Sequence, residues 1–394
     1  MKKNLRDSEL ESLLHSEHIV MVEKMAVGGT GVARLPFKEK SIVVFIDRVA
    51  PNEKAKIKIT SVEKNFLKAT LVEVIEPSVH RRLAPCEYFE RCGGCSWQHI
   101  VETEQVHQKE FLLKELFQKF VPELSFSLDP TITSELSFGY RNRIQLKHQG
   151  SQLGYFQNGT HEIVDIDHCP IADPLISEQI PQFKKKLKPT TDLKKYELRI
   201  NQKNEFESYR IGEAGEGLAF SQVNNFINTK LVSAVSNLVE QINPQFLTEL
   251  YAGSGNFTFE LLKVLKNLKV ESIELNSDLT EFAVKQMFNL GLQKRMFAFT
   301  SNCDDFVERR ALSNEFILLD PPRAGCSEIV IKKISDAKPK DLIYVSCHPV
   351  FLARDLKRLL SSSPQYQIKK IQIFDMFPQT DHFETLVHLS LFES

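Results

Sequence analysis

TELYAGSGNF (248–257), FILLDPPRAG (316–325) and DLIYVSCHP (341–349) decide the fold. Each is a short apolar run ending in a turn of small or polar residues, the pattern of a buried strand that delivers side chains at its carboxyl end. Around them strands and helices alternate: a helix from Thr258, KVESIEL, a helix over 278–290, MFAFT, a helix over 327–335, a helix over 350–360, then a terminal β segment. Alternation of this kind predicts an α/β fold with a doubly wound parallel sheet. Ligands of such sheets bind at the carboxyl ends of the strands. The three turns therefore predict one crevice, with Cys347 beside a nucleotide-like cofactor. A lone cysteine is ordinarily a small core hydrophobe; its place at a strand mouth turns the reading toward a nucleophile.

Outward from this region the pattern changes. Residues 1–18 read as a polar, partly helical leader. From Ile19 to Glu76 five short β-prone runs are punctuated by Gly28, Gly29, Gly31, Pro36, Pro51 and Asn52, which predicts a small barrel of the OB type. Residues 77–100 hold three cysteines in a loop, 101–120 carry helical spacing, and 130 to about 220 read as β again. The expected units are thus residues 1–76, 77–220 and 221–394. At 394 residues the chain is long enough for several cores. It is 42% hydrophobic and 26% charged, with no apolar stretch of membrane-spanning length and no signal-peptide core, so the expectation is a cytoplasmic protein. The formal net charge of −1 hides a local excess: ten Lys/Arg against four Asp/Glu between Lys24 and Thr70. A second basic run is Lys184, Lys185, Lys186 and Lys188. Solvated surface and a nucleic-acid footprint account for such runs equally well from charge alone.

Four constellations carry chemistry. Cys86, Cys92 and Cys95 fall within ten residues, and Cys169 follows in DIDHCPIAD. Four thiolates suit tetrahedral zinc or an iron–sulfur cluster, and spacing does not choose between them. The Gly-Ser-Gly turn is weak by itself, but Glu274 ends the next strand 21 residues beyond Gly253. An acid there accepts hydrogen bonds from ribose hydroxyls. The turn lacks the full pyrophosphate pattern, which favours S-adenosylmethionine, with Tyr251 and Asn256 on the same turn. Asp320 precedes two prolines that stiffen it; Arg323 stands where amine-directed methyltransferases carry an aromatic residue. Glu384 reads as a carboxylate in a polar turn between IQIF and TLVHLS and is the best candidate for a general base.

Taken together, these residues resemble the RNA uracil-C5 methyltransferase family over nearly the whole chain. The resemblance implies a Rossmann-like S-adenosylmethionine domain, an N-terminal TRAM barrel that binds RNA, and a central α+β domain whose Cys86, Cys92, Cys95 and Cys169 hold a [4Fe-4S] cluster. It implies that residues 97–124 pack with the catalytic domain. FSQVNN implies that Gln222 contacts S-adenosylmethionine, as do Tyr251, Asn256, Glu274, Asp320 and, near the adenine, Asn302. Cys347 falls on the nucleophile and Glu384 on the base that removes the C5 proton; His348 replaces the usual asparagine. The expected substrate is structured RNA, ribosomal in preference to transfer RNA, and the expected state a monomer. Two other classes remain as alternatives: a radical RNA methylthiotransferase, whose Cys-x3-Cys-x2-Cys spacing this chain lacks, and a non-catalytic RNA-binding protein.

Overall fold

The computed structural model describes residues 10–122, 126–201, 203–212, 222–312 and 315–392. The chain begins with β1 (Glu17–Met25), β2 (Gly31–Phe37), β3 (Lys40–Ile46), β4 (Lys54–Val62) and β5 (Phe66–Glu76), closed into a barrel in the order β1-β2-β3-β5-β4. Only β3 and β5 run parallel. The strand period of two sorts the side chains: Val20 and Val22 enter the barrel core while Ile19 and Met21 face outward. Leu10 and Leu13 also enter that core, because the start of the chain is less polar in its contacts than in its composition. Residues 1–9 of the expected leader lie outside the described residues.

Next come α1 (Glu102–Phe120), β6 (Asp129–Ile132), β7 (Arg143–Gly150), β8 (Gln152–Phe156), β9 (Ile163–Asp165), α2 (Pro174–Lys186), β10 (Thr190–Ile200) and β11 (Phe206–Arg210). An antiparallel sheet of order β11-β10-β7-β8-β9, the central sheet in chain order, is built from this stretch. Two elements differ from the sequence reading. Residues 174–186, read as β, form α2: Asp173 caps it through Leu175 N, and Ile176 and Ile180 bury against Ile144, Leu146 and Leu198. Its basic run lies on the last turn, where the helix dipole favours cations, and Lys184 pairs with Asp165 at 2.6 Å and Asp167 at 3.1 Å. Strand β6 leaves the central sheet altogether and joins the large sheet described next.

The last part comprises α3 (Asn225–Ile242), β12 (Phe246–Leu250), α4 (Thr258–Val264), β13 (Lys269–Glu274), α5 (Ser277–Asn289), β14 (Met296–Thr300), α6 (Cys303–Arg309), β15 (Phe316–Leu319), α7 (Glu328–Ala337), β16 (Asp341–Ser346), α8 (Pro349–Ser362), β17 (Tyr366–Phe374) and β18 (Glu384–Leu391). The sheet order is β14-β13-β12-β15-β16-β18-β17-β6, parallel from β14 to β16. Beyond β16 the expectation of a parallel sheet fails: β18 is antiparallel to both neighbours. Helices cover both faces, so β15 reads FILL with all four residues buried. On β16, Leu342 and Tyr344 face one core and Ile343 and Val345 the other. Helix α1 supplies Leu113 and Phe117 to the first of these cores, beside Leu352 and Leu356 of α8. Its Glu115 pairs with Lys24 of the barrel.

Candidate active site

Three acidic or nucleophilic groups meet because of the strand directions. β15 and β16 are parallel and in register, so Asp320 and Cys347 emerge at the same edge. β18 returns against β16 with Thr385 opposite Ser346, which puts Glu384 beside Cys347. Glu384 is not in a polar turn: it is the first residue of β18 and only 3% exposed. The segment before it is polar in sequence yet buried, with Asp375, Gln379, Thr380 and Asp381 all inside.

Burial controls the protonation states here. Glu384 Oε2 has no hydrogen-bond partner, and burial followed by the nearby Asp320 holds the carboxyl well above its usual range. Burial lifts Asp320 to about 7. The Cys347 thiol is pushed up to about 12, first by burial, then by Glu384 and Asp320, with Arg323 opposing. Burial thus disfavours the charged form of the Cys347 thiol and of the Glu384 carboxyl alike. Cys347 opens into a cleft of about 600 Å³ also lined by Arg323, His382, Phe377, Arg141 and Lys147, and by Arg48 of the barrel.

At the neighbouring strand ends lies the glycine turn. Tyr251, Gly253 and Gly255 take positive φ, and a Cβ on Gly255 would stand 2.5 Å from the Phe259 ring, so only glycine fits. Glu274 braces the turn, accepting from Gly253 N at 2.9 Å and from Asn276 N at 2.7 Å. Each of its oxygens keeps a further lone pair for a ligand. Asn256 forms a reciprocal amide pair with Asn228 of α3, both bonds 3.0 Å. Asn228 escaped the sequence reading, since nothing local marks a partner 28 residues away. Gln222 is half-buried just before α3, its carbonyl accepting from Asn142 Nδ2 at 2.8 Å; Phe220 and Ser221 of the same motif lie outside the described residues. Tyr251 packs into the core, toward Cys326 and Cys303. Asn302 spends its side-chain oxygen capping α6 through Asp304 N at 3.0 Å.

The four cysteines of the central region converge. Cys86, Cys92, Cys95 and Cys169 line one small cavity with Tyr88 and Tyr155. Gly93 has a steric cause: a Cβ there would sit 2.8 Å from the Phe156 carbonyl oxygen. Burial, with the other sulfurs adding, raises Cys92 to about 11 and Cys95 to about 12. Arg48 donates to the carbonyls of Cys95 and Cys92 at 2.9 and 3.0 Å, tying this loop to the barrel. All seven cysteines are free, and among the described residues no three Cys, His, Asp or Glu are grouped to hold a single metal ion.

Comparison with known proteins places this geometry. The tRNA (uracil-5-)-methyltransferase family model matches residues 192–391, and the TRAM domain model matches residues 16–72. The chain belongs to the RNA uracil-C5 methyltransferase family. An uncharacterized RNA methyltransferase of Bdellovibrio bacteriovorus is 37% identical over 98% of both chains. The 23S rRNA (uracil(1939)-C(5))-methyltransferase of Vibrio cholerae is 27% identical over 95% of this chain and 96% of its own. Among solved structures, the Pyrococcus abyssi tRNA (uracil-54, C5)-methyltransferase in complex with S-adenosyl-L-homocysteine shares the fold, with TM-score 0.70 and 22% identity over 94% of this chain and 100% of that one. As a member of this family the chain is an S-adenosylmethionine-dependent enzyme acting on RNA, with its five-stranded TRAM barrel at the front. Among the described residues, no helix is long and apolar enough to cross a membrane.

Proposed function

We propose that the protein methylates C5 of a uridine in structured RNA through a covalent adduct between Cys347 and C6 of the base. The observation that carries this reading is the meeting of Cys347, Glu384 and Asp320 at one sheet edge, with Cys347 lining the cleft and the glycine turn and Glu274 at the neighbouring strand ends. Uracil is not nucleophilic at C5. Cys347, its proton lost to solvent, forms a bond to C6 and sends the ring π electrons toward O4, which makes C5 a nucleophile. S-adenosylmethionine, when bound, would supply the methyl group that bonds to C5, the electrons of its methyl–sulfur bond staying on the sulfur. Glu384, once its own proton has passed to solvent, takes the C5 proton; the C5–H electrons restore the C5–C6 double bond and the C6–S electrons return to Cys347. Gln222, Tyr251, Asn256, Glu274, Asn302 and Asp320 are the residues proposed to hold the methyl donor. The target base must leave its stack to reach the thiol.

We place a [4Fe-4S] cluster on Cys86, Cys92, Cys95 and Cys169. Their convergence on one small cavity supports a shared group, and the family resemblance favours the cluster over zinc. Its role is structural: it orders the loop whose carbonyls Arg48 grips. Ribosomal RNA is the preferred substrate, in line with the relatives named for 23S rRNA, and transfer RNA the alternative. The test is mass-spectrometric mapping of 5-methyluridine in ribosomal and transfer RNA from a deletion strain. Loss at one ribosomal uridine is expected; an unchanged complement in both RNAs contradicts the proposal.

A further inference from the structure

The segment 375–383 runs from β17 to the proposed base and has no regular structure, yet each part of it is tied to a different element. Asp375 takes the buried Lys109 ammonium of α1 at 2.6 Å. The Pro378 carbonyl accepts from Tyr140 Oη at 3.0 Å. Asp381 accepts from Gly28 N of the barrel at 2.7 Å, and its own N–H donates to Ser96 Oγ at 3.2 Å. Gln379 is the centre of these ties. It is fully buried and holds φ at 69°, a left-handed conformation rare for a side-chain-bearing residue. Its N–H donates to Gln105 Oε1 at 2.9 Å, and its carbonyl accepts from Ser96 N and Trp97 N at 3.1 and 3.0 Å. Its Oε1 accepts from Arg82 and Gln105 at 2.9 and 3.0 Å; its Nε2 donates to Glu102 Oε1 at 3.1 Å. Every polar atom of Gln379 is engaged, so a buried network here rigidifies one conformation.

We infer that Gln379 is a positioning residue that sets the aim of Glu384 against the C5 proton, independently of Cys347. Glu384 Oε2 bonds to nothing, so the backbone it hangs from decides where that carboxyl points. Cys347 lies between β16 and α8, whereas Glu384 opens β18 directly after the 375–383 segment and pairs with Phe374 at the segment's other end. Loosening Gln379 therefore moves the base and leaves the nucleophile in place. The inference rests on the proposed roles of Cys347 and Glu384, and it predicts which step fails.

The experiment follows the covalent protein–RNA complex on denaturing gels, using an unmodified ribosomal RNA fragment that the wild-type enzyme methylates. Gln379→Gly removes the side-chain bonds and tolerates the positive φ. Adduct formation is expected to stay within about threefold of wild type while adduct release slows on the order of 10- to 100-fold, the scale of a misplaced reacting group. A lasting complex that wild type does not show is the signature. Formation and release falling together, or release at the wild-type rate, overturns the inference. Calorimetric binding of S-adenosylmethionine checks the fold; if Gln379→Gly fails it, Gln105→Ala, which removes two of the ties, is read by the same criterion. Glu384→Gln separates the levels. If Glu384→Gln stalls and the Gln379 and Gln105 variants do not, the positioning role falls alone; if Glu384→Gln also releases at the wild-type rate, the base assignment falls.

Discussion

The thiol of Cys347 is held near 12, with its charged form disfavoured by burial and by two carboxyls. A raised thiol pKa means that reactivity grows as pH rises toward that value, because only the thiolate attacks. Iodoacetamide labelling of Cys347 in the RNA-free protein, followed by peptide mass spectrometry, is expected to titrate well above the ordinary thiol value of about 8.5. Glu384→Gln removes a group that is negative at high pH, so its midpoint moves down toward the ordinary value. An unchanged midpoint would remove Glu384 from the thiol's surroundings. Cys347 was legible as a candidate at this scale because a strand mouth marks it. The environment of Glu384 was not: HFET reads as solvated turn, and only long-range bonds bury it. Asn228 and Gln379 stayed invisible for the same reason, since amide partners far along the chain leave no local pattern.

Among elements, hydrophobic period two and short apolar runs made β12, β13, β15 and β16 readable, and glycine spacing made the barrel readable. β6 has four residues, DPTI, including a proline; its strand identity comes only from pairing with β17. Helix α2 carries Pro181 and three closing lysines, Lys184, Lys185 and Lys186, that hide its apolar face. Helix α1 was readable as a helix, but its buried Lys109 was not foreseeable as the partner of Asp375. Lys109→Met leaves a buried carboxylate unpaired and is expected to destabilise the protein by about 3–5 kcal/mol in urea unfolding. Adding Asp375→Leu should recover most of that loss. A single-variant cost near zero would mean that the pair is solvated in practice.

At the scale of the molecule, barrel, central sheet and large sheet meet at one cleft, and each contributes a cation: Arg48, then Arg141 and Lys147, then Arg323. Composition hid this, because the net charge of −1 averages basic and acidic surfaces. Phosphate contacts release counterions, so RNA affinity should fall steeply with salt, and Lys147→Ala should reduce the slope of log K against log salt by roughly 1. An unchanged slope would take Lys147 off the phosphate path. The central claim is that Cys347 becomes covalently bound to the base it helps to methylate. The most direct measurement is the intact mass of the enzyme after reaction with S-adenosylmethionine and substrate RNA carrying 5-fluorouridine at the target, where no C5 proton can leave. The wild-type protein is predicted to gain the mass of the RNA plus one methyl group and Cys347→Ala to gain nothing; equal adduct in both would contradict the account.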